Sequence, residues 1–158
     1  MATYLLDTGI VLGFVRGAAY AAYTERKFAV NQPPNVSLLS VVSRGELYSL
    51  AIQLGWGIQK RQSLEHLLLQ IPHVDINKDP IIHRYAEIDA YSQGKDLTRR
   101  LPQGLTSRNM GKNDLWIAAT ASVLNASLLT IDKDFDHLNG QFLNVIYIDR
   151  NLKPSDLQ

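Results

Sequence analysis

Four acids in this chain fall at positions that a single sheet edge could gather: Asp7, Glu46, Asp114 and Asp132. Asp7 ends the short apolar run Tyr4-Leu5-Leu6, and Asp132 follows the apolar residues Leu128, Leu129 and Ile131. Glu46 falls in the second turn of a helix that opens at Ser40, and Asp114 opens another helix. Carboxylates brought together repel one another and are hard to ionise at once. A divalent cation with a preference for oxygen removes that penalty, and Mg²⁺ or Mn²⁺ suits an all-oxygen donor set. Such an ion orients a phosphodiester, lowers the pKa of an attacking water and stabilises the leaving oxygen.

Each acid also has a plainer reading. Asp7 with Thr8 and Gly9 makes a turn sequence. Ser43 to Glu46 has the spacing of a capping box. The apolar pattern begins at Val41, however, which puts the cap at Ser40 and Glu46 inside the helix. Asp114 complements a helix dipole, and Asp132, Asp134 and Asp136 suit a solvated turn. The plain readings hold singly; together they require four independent coincidences at one edge.

The elements that would position these acids are legible in outline. Residues 4–6, 36–39, 74–76, 127–131 and 145–148 read as strands from their short apolar runs. Residues 18–29, 40–52, 59–70, 79–92 and 113–124 read as helices, the last with a stripe of Ile117, Ala118, Ala121 and Leu124. On the helix from Ser40, the positions Val41, Val42, Gly45, Tyr48, Ala51 and Ile52 are expected to share the apolar face. Residues 93–112, with Pro102 and three glycines, read as a polar loop. Strands alternating with helices predict an α/β fold with a central parallel β-sheet flanked by helices. In that arrangement each helix begins where a strand finishes. All four acids are then expected outside the carboxyl ends of the strands, where open α/β sheets hold their ligands.

Bulk composition narrows the classes. With 158 residues and 46% hydrophobic content, one domain spanning residues 1–158 is expected. There is no cysteine, so disulfides and thiolate metal sites are excluded. No apolar run approaches the roughly 18 to 20 residues of a membrane span. The opening residues lack a basic segment and carry Asp7, so no signal peptide is expected, and a cytoplasmic location is. Net charge is only +1, so attraction to nucleic acid requires a local patch.

Several stretches resemble a known family. Met110-Gly111-Lys112-Asn113-Asp114-Leu115-Trp116-Ile117-Ala118-Ala119-Thr120-Ala121 resembles the PIN-domain segment that carries its third acid. Leu128-Leu129-Thr130-Ile131-Asp132-Lys133-Asp134-Phe135 resembles the strand and turn that follow in that family. Tyr4-Leu5-Leu6-Asp7-Thr8 matches its opening strand, and Ser40-Val41-Val42-Ser43-Arg44-Gly45-Glu46-Leu47 its second-acid helix. The matches run in family order from about residue 3 to 138. The resemblance implies a PIN-like three-layer domain, a Mg²⁺ or Mn²⁺ site and hydrolysis of RNA phosphodiester bonds. It carries Asp7, Glu46, Asp114 and Asp132 over as the catalytic and metal-binding acids, with Asp134 as the other source of the fourth. Thr8 and Thr130 carry over as supporting hydroxyls. Among VapC-like members the resemblance further implies a toxin ribonuclease, a cognate antitoxin and a homodimer. The alternatives are an RNA-processing or DNA-directed nuclease outside a toxin system, or an inactive interaction module. Position 9 departs from the pattern, with Gly where Asn or Ser is usual, and the loop from Lys95 to Lys112 is longer than in compact toxins.

Lys95, Arg99, Arg100, Arg108 and Lys112 precede Asp114 in a stretch with Asp96 as its one acid. Arg99, Arg100, Arg108 and Lys112 are the candidates for gripping RNA phosphates, or for receiving the antitoxin. His66, His73, His83 and His137 lack zinc-ligand spacing, and His137 is expected at the surface or in a turn. Three rival motifs fail. An aspartic protease needs a second Asp-Thr-Gly. A calcium loop beginning at Asp132 would need Gly at position 137 and Glu at 143, where His and Leu stand. A dehalogenase-type phosphatase needs an acid at position 9.

Overall fold

The structure is a computed structural model and describes residues 1–157. Five parallel strands form one sheet in the order β3-β2-β1-β4-β5. They are β1 (Thr3–Leu6), β2 (Val36–Ser40), β3 (His73–Val74), β4 (Ser127–Thr130) and β5 (Val145–Tyr147). Six helices connect them: α1 (Thr8–Arg16), α2 (Ala19–Phe28), α3 (Val41–Gln53), α4 (Ile58–Gln70), α5 (Asp79–Ser92) and α6 (Lys112–Val123). The parallel α/β arrangement expected from the alternation is therefore present. Residues 133–138 add a short 3-10 turn after β4.

Alternation along the strands divides the core in two. Leu6, Leu39 and Leu129 point to the face covered by α1, α2, α3 and α4, where they meet Ile10, Tyr20, Leu47 and Leu64. Leu5 and Leu128 point to the other face and meet Ile88, Tyr91, Leu115 and Ile117 of α5 and α6. Successive side chains of a strand face opposite ways, so a sheet covered on both sides requires an unbroken apolar run. Tyr4-Leu5-Leu6 and Leu128-Leu129 supply it. Leu5, Leu6, Leu128 and Leu129 are fully buried.

Three local expectations change. No element was expected over residues 10–16, yet α1 occupies them. Its run Ile-Val-Leu-Gly-Phe-Val is poor in helix propensity, but burial of Ile10, Val11 and Gly13 against the core decides the conformation. Gly17 ends α1 at φ 64°, donating its N–H to the carbonyls of Gly13 and Phe14. The buried positions of α3 are Ser43, Leu47 and Ala51, whereas Ile52 is 70% exposed, so its inner face is rotated from the expected one. The third strand is His73–Val74 rather than residues 74–76.

The topology locates a crevice. From β1 the chain moves outward to β2 and β3, then returns to lay β4 and β5 on the other side of β1. The strand order reverses between β1 and β4, and doubly wound sheets bind ligands at such a switch point. Asp7 follows β1 and Asp132 lies just beyond β4, so the two acids straddle it.

Candidate active site

Asp7 is the innermost acid, only 7% exposed. Its backbone N–H extends the sheet by donating to the Leu129 carbonyl at 2.9 Å. Its side chain caps α1: Oδ1 accepts from the Thr8 N–H at 2.8 Å, and Oδ2 accepts from the buried Thr130 hydroxyl at 2.6 Å. The turn reading of Asp7 is thus realised, and the same carboxylate stands beside Glu46, Asp114 and Asp132. Thr130 Oγ1 also accepts from the Asp132 N–H at 3.0 Å, which ties the two acidic loops together. Thr8 donates its hydroxyl to Glu46 Oε1 at 2.8 Å. The two threonines therefore each orient an acid.

Glu46 reaches this position because Ser40 caps α3, accepting from the Val42 N–H at 3.1 Å. That start places Glu46 inside the helix, as the apolar pattern required. Asp114 sits in the first turn of α6. Asp132 caps the 3-10 turn, its Oδ1 accepting from the Asp134 N–H at 2.9 Å.

The five carboxylates form one electrostatic unit. Burial pushes Asp7 from 3.8 up to about 6, against the lowering effect of the Thr130 and Thr8 hydrogen bonds, with Glu46 and Asp132 adding repulsion. Burial likewise raises Asp114 to about 7, reinforced by repulsion from Asp7, Asp132, Glu46 and Asp134. Ligand oxygens of Asp114, Asp132 and Asp134 all lie within 4.8 Å of one another. Asp132 and Asp134 thus converge together on Asp114 and need not be alternatives. Asp7, Glu46, Asp114 and Asp132 line a cavity of about 540 Å³ at the sheet edge. An all-oxygen donor set of this density, whose acids are hard to ionise unaided, fits a hard dication.

Gly9 has a local reason to lack a side chain. A Cβ there would stand 2.7 Å from Ile131 Cγ1 and 2.8 Å from its Cδ1. The carbonyl of Gly9 accepts from the Tyr20 hydroxyl at 2.8 Å, which fixes α2 against the start of α1.

The basic loop divides. Lys112 lines a second concavity with Glu46 and Asp114, beside the acids. Arg108 donates to the Asp134 carbonyl at 3.4 Å. Arg99 lies 4.2 Å from the Phe142 ring and donates to the Gln141 carbonyl at 3.2 Å. Arg100 is exposed. His137 is not a surface residue: it is 5% exposed, its Nε2 is 2.8 Å from Ser92 Oγ, and burial lowers its pKa to about 4. It packs in a plane parallel to Tyr91, held there by the 3-10 turn that turns it inward from the acidic loop.

Sequence reasoning missed four residues that line the acid cavity: Lys133, Tyr147, Arg150 and Asn151. The signal was present. A parallel strand over residues 145–148 must end at the same edge as β1 and β4, so the residues after it belong beside Asp7 and Asp132.

The PIN domain family model matches residues 4–141, and the chain belongs to the PIN domain family. No curated protein matches the chain. Solved structures share its fold. A chain of VapBC2 from Rickettsia felis, solved bound to a promoter DNA fragment, is 21% identical with a TM-score of 0.73, over 93% of this chain and 99% of that one. A chain of VapBC-1 from nontypeable Haemophilus influenzae is 24% identical with a TM-score of 0.65, over 92% and 97%. A chain of FitAcB from Neisseria gonorrhoeae is 19% identical with a TM-score of 0.64, over 90% and 96%.

Proposed function

We propose that this chain, a single PIN-like domain, is a divalent-metal-dependent endoribonuclease that hydrolyses RNA phosphodiester bonds as the toxin of a toxin–antitoxin pair. The observation that carries the reading is the convergence of Asp7, Glu46, Asp114, Asp132 and Asp134 at the switch point of the sheet. The toxin–antitoxin role is supported by fold neighbours described as toxin–antitoxin complexes, including those from Klebsiella pneumoniae and Mycobacterium tuberculosis. On this reading a cognate antitoxin and a second copy of the chain are its partners, and the cytoplasm is its place of action. Among the described residues no helix is long and apolar enough to cross a membrane.

Asp114, Asp132 and Asp134 would hold the ion, with Asp7 and Glu46 completing the acidic wall. When bound, Mg²⁺ or Mn²⁺ supplies positive charge to the phosphodiester and lowers the pKa of the attacking water. The chain's own residues do the rest. Thr130 holds Asp7 in one rotamer, and Thr8 does the same for Glu46. Such outer partners fix ligand orientation and are worth about 10- to 100-fold in metal affinity or activity. The water oxygen bonds to phosphorus as its proton passes to a carboxylate of the wall, the P–O bond to the leaving oxygen breaks, and that oxygen takes a proton back from the carboxylic acid or from solvent to leave as an alcohol. Protons that Asp7 and Asp114 retain in the empty pocket are released when the cation enters. Lys112 and Arg108, beside the acids, join Arg99 and Arg100 as the phosphate-gripping set.

The test is cleavage of end-labelled single-stranded RNA and matched DNA with Mn²⁺ or Mg²⁺. RNA is expected to be cut, EDTA to stop the reaction, and Asp114→Asn to lower the rate by more than about 100-fold, beyond the usual loss for an outer partner. Preferential cutting of DNA would point instead to a DNA-directed nuclease. Metal binding with neither strand cut would leave an interaction module.

A further inference from the structure

The acid cavity has a second chemistry on its β5 side. Its lining passes from Glu46, Asp7 and Asp132 to Lys133, Tyr147, Arg150 and Asn151, following the sheet order from β2 to β5. Carboxylates gather over β2, β1 and β4, while the cations stand over β4 and β5. A cation beside so many carboxylates would ordinarily close an ion pair with one of them. Among the described residues the only such pair is Arg84 with Glu87, on α5 and away from this cavity. Lys133 and Arg150 are exposed and take part in no ion pair.

Three further observations describe this side. Lys133 Nζ lies 5.2 Å from the centroid of the Tyr147 ring, so a cation and an aromatic face fall within the span of one nucleotide. Tyr147 is 38% exposed at the end of β5, although its neighbour Ile148 is buried. Arg150 lines the cavity together with Gly9, and its charge opposes the rise that burial causes at the Tyr20 hydroxyl, which donates to the Gly9 carbonyl. The Asp149 carboxylate, next in sequence to Arg150, accepts from the Asn151 N–H at 2.9 Å and holds this turn in shape. An exposed aromatic face flanked by unpaired cations is the pattern that holds single-stranded nucleic acid, the ring stacking on a base and the cations meeting the backbone. Arginine adds a planar fork matched to a phosphate.

We propose that Tyr147, Arg150 and Lys133 form a nucleotide subsite beside the acids, with an unpaired RNA base on the Tyr147 ring and a phosphate neighbouring the scissile one on the two cations. The inference rests on the ribonuclease reading above. It assigns substrate positioning to the β5 flank, in addition to the loop before α6. A base held on a ring must be unpaired, so the subsite selects single-stranded over duplex RNA.

The test measures binding of a fluorescent 12-nucleotide single-stranded RNA to Asp114→Asn protein in EDTA, across a range of KCl, with further substitutions in that background. Arg150→Ala and Lys133→Ala are each expected to reduce the slope of log affinity against log salt by about 0.7, the value for one lost single-strand phosphate contact. Tyr147→Ala is expected to weaken binding about 5- to 100-fold with the slope unchanged, and Tyr147→Phe to bind as the parent does. Unchanged slopes in both Arg150→Ala and Lys133→Ala, with RNA cleavage intact in the wild type, overturn the subsite alone. A parent that binds no RNA, alongside a wild type that cleaves none, overturns the ribonuclease reading and the subsite with it.

Discussion

Replacing Asp7 by Asn should stabilise the metal-free protein at pH 8 while removing one carboxylate from the proposed cation site. Asp7 is buried, and its pKa stands at about 6 where an ordinary aspartate has 3.8. A folded-state pKa raised in this way means that the folded protein binds the proton more tightly than the unfolded chain. Stability is therefore undiminished below about pH 4, falls as the pH rises towards 6, and is lowest above that. The displacement corresponds to about 3 kcal/mol at most. Asparagine keeps the Oδ1 acceptor for the Thr8 N–H. Its amide meets Thr130 Oγ1, which must turn its own proton elsewhere, at a cost of about 1 kcal/mol. The net gain is about 1 to 2 kcal/mol at pH 8. For a chain of this length each kcal/mol moves Tm by roughly 2 to 4 °C. Thermal unfolding in EDTA is therefore expected to show Asp7→Asn melting about 2 to 8 °C above the wild type at pH 8 and losing that advantage near pH 4. A variant that melts below the wild type at pH 8, or by a margin independent of pH, would refute the reasoning that this carboxylate is held ionised against its surroundings.

Other outcomes follow from the same geometry. Thr130→Val removes the hydroxyl that bridges Asp7 and the Asp132 backbone; calorimetry should show Mn²⁺ affinity reduced about 10- to 100-fold. Gly9→Ala drives a Cβ into Ile131, so chemical denaturation should show a loss of about 1 to 3 kcal/mol, and the double variant with Ile131→Ala should lose less than the two singles together. Because Asp7 and Asp114 hold protons up to about 6 and about 7, Mn²⁺ must displace them, and its affinity should rise between pH 5 and 8 with release of up to about two protons per ion. A pH-independent affinity over that range would place the ion elsewhere.

The sheet and the four principal acids were legible because both depend on short-range patterns. The apolar runs at 4–6 and 127–131 state that two strands are buried on both faces, and a parallel arrangement then forces Asp7 and Asp132 to one edge. Ser40 is a strong cap, so Glu46 could be counted into its helix. What escaped was decided by tertiary contacts. Residues 10–16 carry low helix propensity and become α1 through packing on the core. His137 belongs by sequence to a polar turn, but the 3-10 conformation rotates it under Ser92. Lys133 stands next to Asp132 in the chain, whereas Tyr147, Arg150 and Asn151 belong to no motif and reach the acids only because β5 is the parallel neighbour of β4. The contact of Arg99 with the Phe142 ring likewise had no local signature.

Anomalous diffraction from crystals soaked in MnCl2 asks most directly whether these carboxylates enclose a dication. The expected map has a manganese peak within about 2.0 to 2.4 Å of carboxylate oxygens from Asp114 and at least one of Asp132 and Asp134, with Asp7 facing it from the Thr130 side and no peak in Asp114→Asn crystals. Carboxylates turned away from one another around a cavity without manganese, at a concentration that saturates the protein in solution, would contradict it.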